Sequence, residues 1–141
     1  MEIIESPIYF DTNVFIYSIE GHEKYYDVLT RLFSIIRQNN AHIVTSELSL
    51  AECLVKPAKD NNIKAIEQFK QHIQNNKYMS VKSVSRNILI TSATVRGQLG
   101  LKLPDAIHMA TAIEQKCKTF VTNDKKLKIP ENMQGLYLHD F

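Results

Sequence analysis

The stretch IYFDTN, residues 8–13, is a compact apolar run that ends abruptly at three polar residues. A short apolar run closed by turn-forming residues is typical of a strand buried in a parallel sheet. The sequence therefore predicts a first strand that ends immediately before Asp11.

Further short apolar runs alternate with helical patterns along the rest of the chain. We predict more strands at residues 42–45, 79–84, 119–122 and 136–138. Between them we predict a helix along the apolar face from Tyr25 to Ile36, a short helix through Glu52, and helices over 63–73, 85–100 and 105–116. This alternation predicts an α/β fold, a three-layer α/β/α sandwich with a mostly parallel sheet of about five strands. We expect residues 1–141 to form a single domain.

Composition supports a folded domain and leaves the partner open. The 141 residues are 44% hydrophobic and 23% charged, which is enough apolar surface for a core and excludes a disordered chain. A formal net charge of +2 is too small to indicate a nucleic-acid partner by itself. Five lysines between Lys116 and Lys128 could hold an RNA backbone, or they could be a solvated face.

The cysteines and the N-terminal residues indicate the compartment. Cys53 and Cys117 form no CxxC and no zinc-ligand spacing, so we expect two reduced, packed thiols. The sequence shows no basic segment followed by an apolar one at its start, and no apolar run near the roughly 18 residues of a membrane span. We therefore expect a cytoplasmic protein that makes no membrane contact.

Four carboxylates fall where an α/β sheet places its ligands. Asp11 follows the first predicted strand, Asp124 follows the fourth, Glu52 lies in the helix after the second, and Asp105 begins the last helix. Ligands bind beyond the carboxyl ends of parallel strands, so the fold could bring the four together. Oxygen ligands favour Mg²⁺ or Mn²⁺ over Zn²⁺, and such an ion supports hydrolysis of a phosphodiester.

Each of these residues also has a purely structural interpretation. Asp11 could close an Asx turn, and Glu52 completes a capping-box pattern in SLAE, residues 49–52. Asp105 could complement a helix dipole, and Asp124 could belong to a plain turn. We interpret His108, one turn after Asp105, as a packed or capping residue.

Four segments resemble the PIN-domain family, in the family's order: FDTNVFIY (10–17), TSELSLAE (45–52), LPDAIHMATA (103–112) and VTND (121–124). The third is close to the form found in VapC-type toxins of toxin–antitoxin pairs. The resemblance implies a Mg²⁺- or Mn²⁺-dependent endoribonuclease, a homodimer and a cognate antitoxin. It also implies that the catalytic, metal-binding carboxylates are Asp11, Glu52, Asp105 and Asp124, with Glu52 preferred to its neighbour Glu47.

Three other functions compete with a toxin ribonuclease. The same nuclease could act in RNA processing without an antitoxin. A non-catalytic RNA-binding module would be expected to lack some of the four acids, and none is lacking. A receiver-type signalling domain would need an acidic pair after the first strand, where this chain has Asp11-Thr12-Asn13. The apolar run from Val14 to Tyr17 favours an antitoxin, since we expect a partner to cover part of it.

Overall fold

The computed structural model describes residues 4–141, which form five strands, six α-helices and a short 3-10 helix. The strands are β1 (Ile8–Phe10), β2 (Ile43–Ser46), β3 (Met79–Lys82), β4 (Thr119–Thr122) and β5 (Gln134–Tyr137). The helices are α1 (Thr12–Glu20), α2 (Glu23–Gln38), α3 (Glu47–Lys59), α4 (Ile63–His72), α5 (Arg86–Leu99) and α6 (Leu103–Glu114).

The five strands form one sheet in the order β3-β2-β1-β4-β5, and every neighbouring pair is parallel. This confirms the predicted α/β/α architecture, with a sheet that is parallel throughout. The order of the strands reverses between β1 and β4, and ligands of open parallel sheets bind at such a reversal. Receiver-type domains have the order 2-1-3-4-5, so the sheet excludes that alternative.

The two faces of the sheet bury separate apolar clusters. Ile8, Phe10 and Val121 pack with α1 to α4 on one face. Tyr9 and Phe120 point to the other face, where α5 and α6 cover them and the two rings stack at 4.9 Å. Because side chains alternate along a strand, β1, β2 and β4 each contribute to both cores.

Helix α1 is the α-helix that was not predicted from the sequence. Asp11 caps its N-terminus, and Gly21 ends it with φ of 68°, a conformation that glycine adopts without strain. Val14 and Phe15 are buried, while Ile16 and Tyr17 pack half-buried against the same core. The protein itself therefore covers this apolar run, so the run is not an argument for a partner.

Most other predicted elements are present with shifted ends. Ser85 and Gly100 bound α5 as predicted, and Ser85 Oγ accepts a hydrogen bond from the amide of Ile88. Helix α3 is longer than expected, and the last strand ends at Tyr137. Cys53 and Cys117 are free and buried, and burial raises the pKa of each thiol to about 12. No helix within residues 4–141 has both the length and the apolarity needed to cross a membrane.

Candidate active site

Asp11 lies at the carboxyl end of the central strand and is only 8% exposed. Its Oδ1 accepts a hydrogen bond from the amide of Thr12 at 2.9 Å, which caps helix α1. Its Oδ2 accepts one from the hydroxyl of Thr122, at the end of the neighbouring strand β4, at 2.7 Å. Asp11 therefore has a structural role, but as the N-cap of α1 and not in the Asx turn considered from the sequence. Each oxygen has a second lone pair, so these bonds fix the carboxylate and still leave it able to bind a cation.

Glu52 reaches the same edge of the sheet from α3. The capping box predicted at residues 49–52 is wrong, because Ser46 caps this helix through a bond to the amide of Leu48. Ser49 lies inside the helix and shares a hydrogen bond with the hydroxyl of Thr45. Glu52 is thus not needed at the helix end and is directed toward the strand ends, whereas Glu47 is exposed.

Two side chains donate hydrogen bonds to the same oxygen of Glu52. The hydroxyl of Thr12 lies 2.7 Å from Oε1, and Nε2 of His108 lies 2.6 Å from it. Partial burial by itself raises the pKa of Glu52, but the bonds from His108 and Thr12 outweigh it, so the pKa is lowered. Glu52 is therefore ionised at neutral pH.

His108 belongs to this site, although the sequence analysis interpreted it as a packed or capping residue. It is indeed packed, with 1% of its surface exposed. Its Nδ1, however, lies 2.6 Å from the hydroxyl of Tyr9, and its Nε2 faces Glu52 and is 3.9 Å from Oδ1 of Asp11. The sequence signal that could have found it is its spacing of three from Asp105, which places both residues on one helix face.

Asp105 lies in the first turn of α6 and is half-buried. Burial raises its pKa most, and the charges of Asp11, Asp124 and Glu52 raise it further, while His108 opposes them. Asp105 therefore lies close enough to the other three carboxylates for their charges to act on it. This repulsion is the effect that a bound cation would relieve.

Asp124 is exposed in the turn after β4, where its Oδ1 accepts a hydrogen bond from the amide of Lys126. The turn interpretation is therefore correct for this residue. The lysines of this region do not form one patch, because Lys116 and Lys118 precede β4 and Lys125 and Lys126 follow it. The strand places the two pairs about 13 Å apart, at opposite edges of the sheet.

The polar neighbours of the carboxylates divide into two groups. Thr12 and Thr122 donate to carboxylates. Asn123 instead donates to the hydroxyl of Tyr25 at 2.7 Å and accepts from the amide of His139. Asn123 therefore anchors the chain after β4 to α2 and to the C-terminal segment.

The donor set suits a hard divalent cation. Asp11, Glu52, Asp105 and Asp124 offer carboxylate oxygens, the ligands that Mg²⁺ and Mn²⁺ prefer. Within residues 4–141, no group of three His, Cys, Asp or Glu side chains is arranged so that it could hold a metal ion. The fit therefore rests on the donor chemistry and on Asp105, whose pKa is raised first by burial and then by the charges of the other carboxylates.

The family model of the PIN domain matches residues 8–131, which include both strands at the reversal and all four carboxylates. The chain belongs to the PIN domain family. No curated protein matches its sequence.

Solved structures share the fold of this PIN domain at low sequence identity. VapBC2 from Rickettsia felis, bound to a DNA fragment from its promoter, is 19% identical, with a TM-score of 0.71 over 92% of this chain and 97% of that one. FitAcB from Neisseria gonorrhoeae is 15% identical, with a TM-score of 0.69 over 95% and 99%. A toxin–antitoxin complex from Klebsiella pneumoniae is 20% identical, with a TM-score of 0.67 over 93% and 97%.

Proposed function

We propose that this PIN domain is a Mg²⁺- or Mn²⁺-dependent endoribonuclease that hydrolyses phosphodiester bonds of RNA. The observation that carries the proposal is the acidic edge of the sheet, where the charges of Asp11, Glu52 and Asp124 reach Asp105 within a PIN fold. A divalent cation held there would lower the pKa of water and stabilise the charge that develops on the phosphate.

The protein's own residues prepare this site in two ways. Thr12 and Thr122 fix the carboxylate of Asp11, so little orientational freedom is lost when a ligand binds. Glu52 is kept ionised by its two donors, whereas burial, and after it the charges of the three other carboxylates, raise the pKa of Asp105. The proposed roles are therefore metal ligation by Asp11 and Asp105, with Glu52 and Asp124 completing the pocket and orienting water.

Cleavage of a single-stranded or loop RNA by the purified protein tests this proposal. We expect cleavage with Mg²⁺ or Mn²⁺ and its complete loss in excess EDTA, restored by adding either ion back. Asp105→Asn is the inactive control, because it keeps the shape of the side chain and removes one charged ligand. Undiminished cleavage in EDTA would refute the metal mechanism, and a fully active Asp105→Asn would refute the site.

We further propose that the nuclease is the toxin of a type II toxin–antitoxin pair and forms a homodimer. The proposal is supported by membership of the PIN family and by the fold that the chain shares with VapBC2 and the Klebsiella pneumoniae toxin–antitoxin complex. We expect the product of the adjacent reading frame to co-purify with this chain and to inhibit cleavage. Light scattering of the isolated chain should give twice the mass of 16.2 kDa.

The alternative proposal is a nuclease of RNA processing that has no antitoxin. A strict monomer at micromolar concentration, with no inhibitor encoded beside it, would favour that alternative. The same result would leave the metal-dependent cleavage itself unaffected.

A further inference from the structure

A line of hydrogen bonds runs from the interior of the protein to the acidic edge of the sheet. The hydroxyl of Tyr9 lies 2.6 Å from Nδ1 of His108, and Nε2 of His108 lies 2.6 Å from Oε1 of Glu52. Tyr9 is completely buried and His108 is 1% exposed, whereas the side chain of Glu52 is 36% exposed. The line therefore begins in the core and ends at a group that faces the site.

The carboxylate of Glu52 fixes the position of one hydrogen on the ring of His108. A carboxylate can only accept, so Nε2 of His108 must carry the hydrogen that points to Glu52. The hydroxyl of Thr12 has one hydrogen, which it donates to the same Oε1 at 2.7 Å. At 3.2 Å its oxygen can also accept from Nε2. On the other side of the ring, Nδ1 is hydrogen-bonded to the hydroxyl of Tyr9, and this bond holds the imidazole in this orientation.

We propose that His108 is a positioning residue for the nuclease site. Tyr9 orients its ring, and His108 then holds Oε1 of Glu52 so that Oε2 is presented to the acidic edge. Both hydrogen bonds that the described residues make to Glu52 end on Oε1, which leaves Oε2 for the cation or its bound water. This inference rests on the proposed function, since it assigns His108 a part in that same site.

A histidine that only fills space in the core would need no donor at Nε2. The variants His108→Gln and His108→Met distinguish the two roles, because the side chains have nearly the same length and shape. Only glutamine has an N–H group near the position of Nε2. Tyr9→Phe removes the hydroxyl that orients the ring and leaves both His108 and Glu52 in place.

Steady-state cleavage of RNA and binding of Mn²⁺, followed by the EPR signal of free Mn²⁺, are the two readouts. We expect His108→Met to lower kcat about 10- to 100-fold, with KM for RNA within about twofold, and to weaken Mn²⁺ binding about tenfold. His108→Gln should recover most of both losses, and Tyr9→Phe should lower both by about three- to tenfold. Equal losses in His108→Gln and His108→Met, or Mn²⁺ affinity unchanged in His108→Met, would overturn the proposal.

The position of the hydrogen can also be measured without any activity. Two-bond ¹H–¹⁵N correlation spectra of the metal-free protein identify which ring nitrogens of His108 are protonated, and we expect Nε2 to be protonated. A bare Nε2 overturns the positioning role even if cleavage is normal. Conversely, if Nε2 is protonated in the wild type but the protein never cleaves RNA, the proposed function is refuted. The hydrogen bonds from Tyr9 through His108 to Glu52 then still stand. If His108→Met does not fold, Tyr9→Phe and the spectra of the wild type decide the question.

Discussion

Replacing Thr12 by valine should destabilise the metal-free protein by removing one hydrogen bond to an ionised carboxylate. Valine keeps the branched shape of threonine, and the hydroxyl that it lacks donates to Oε1 of Glu52 at 2.7 Å. A hydrogen bond to a charged group contributes about 1.5–3 kcal/mol. Because the side chain of Glu52 is 36% exposed, water replaces part of this bond, and we expect a loss near the lower limit, about 1.5 kcal/mol.

The pH dependence of this loss follows from the pKa of Glu52. The pKa is lowered from its ordinary value of 4.5 in the folded state, and Thr12 is one of the causes. A lowered pKa contributes stability that is fully present above the pKa of the unfolded chain and is lost as pH falls through that of the folded protein. The difference between wild type and Thr12→Val should therefore be largest at neutral pH and shrink as the pH falls below 4.5.

Thermal melts in the presence of a chelator measure this difference. A loss of about 1.5 kcal/mol corresponds to a Tm lower by roughly 3–6 °C at neutral pH for a chain of this size. Thr12→Ser keeps the donor and is the matched control, so it should melt closer to the wild type than Thr12→Val does. If the valine variant melts like the wild type, or if its deficit is the same at acidic pH, the bond to the charged carboxylate does not carry the effect.

Two further pairs of variants test the charges around the site. At pH values above the ordinary pKa of Asp105, Asp105→Asn should raise the Tm of the metal-free protein. The pKa of this carboxyl is raised in the folded state, so its ionisation destabilises the fold as the pH rises. Asp11→Asn should lower the Tm instead, since an amide cannot accept both of the bonds that its two oxygens now accept. Lys126→Gln should raise KM for RNA and reduce the salt dependence of binding by about one counterion, if RNA lies along the acidic edge. Lys118→Gln, at the opposite edge of the sheet, is its control and should change neither quantity.

The architecture was predictable from the sequence because strands and helices differ in period and length. The runs before Asp11 and Asp124 are short, apolar and closed by polar residues, and both are strands. Helix α1 was missed because Val14 to Tyr17 form a continuous apolar run without the spacing of an amphipathic helix. It is a helix that packs on two sides, and a helix covered in that way shows little periodicity.

The members of the candidate site were predictable, but their contacts were not. The positions of the carboxylates at strand and helix ends suggested which acids could meet. No pattern showed that Ser46, rather than Ser49, caps α3. With the cap at Ser49, Glu52 would close its own helix. With the cap three residues earlier, at Ser46, Glu52 faces another element. Such a difference depends on where β2 ends, and the end of a short strand is set by its neighbours in the sheet.

Helix α6 and strand β1 bring their polar residues together through two spacings, one along the strand and one along the helix. Tyr9 and Asp11 are two residues apart, so they lie on the same side of β1, and Asp105 and His108 are three apart, so they share a face of α6. The structure places these faces against each other, with His108 bonded to Tyr9 and 3.9 Å from Asp11. Both spacings are visible in the sequence. Whether His108 meets Tyr9 and Asp11 depends on how closely the helix approaches the sheet. Ala112, fully buried and four residues after His108, lies on this face of α6 and leaves room for that approach. A larger side chain at 112 should therefore move this face away from the strand and lengthen the contacts of His108 with Tyr9 and Asp11 together.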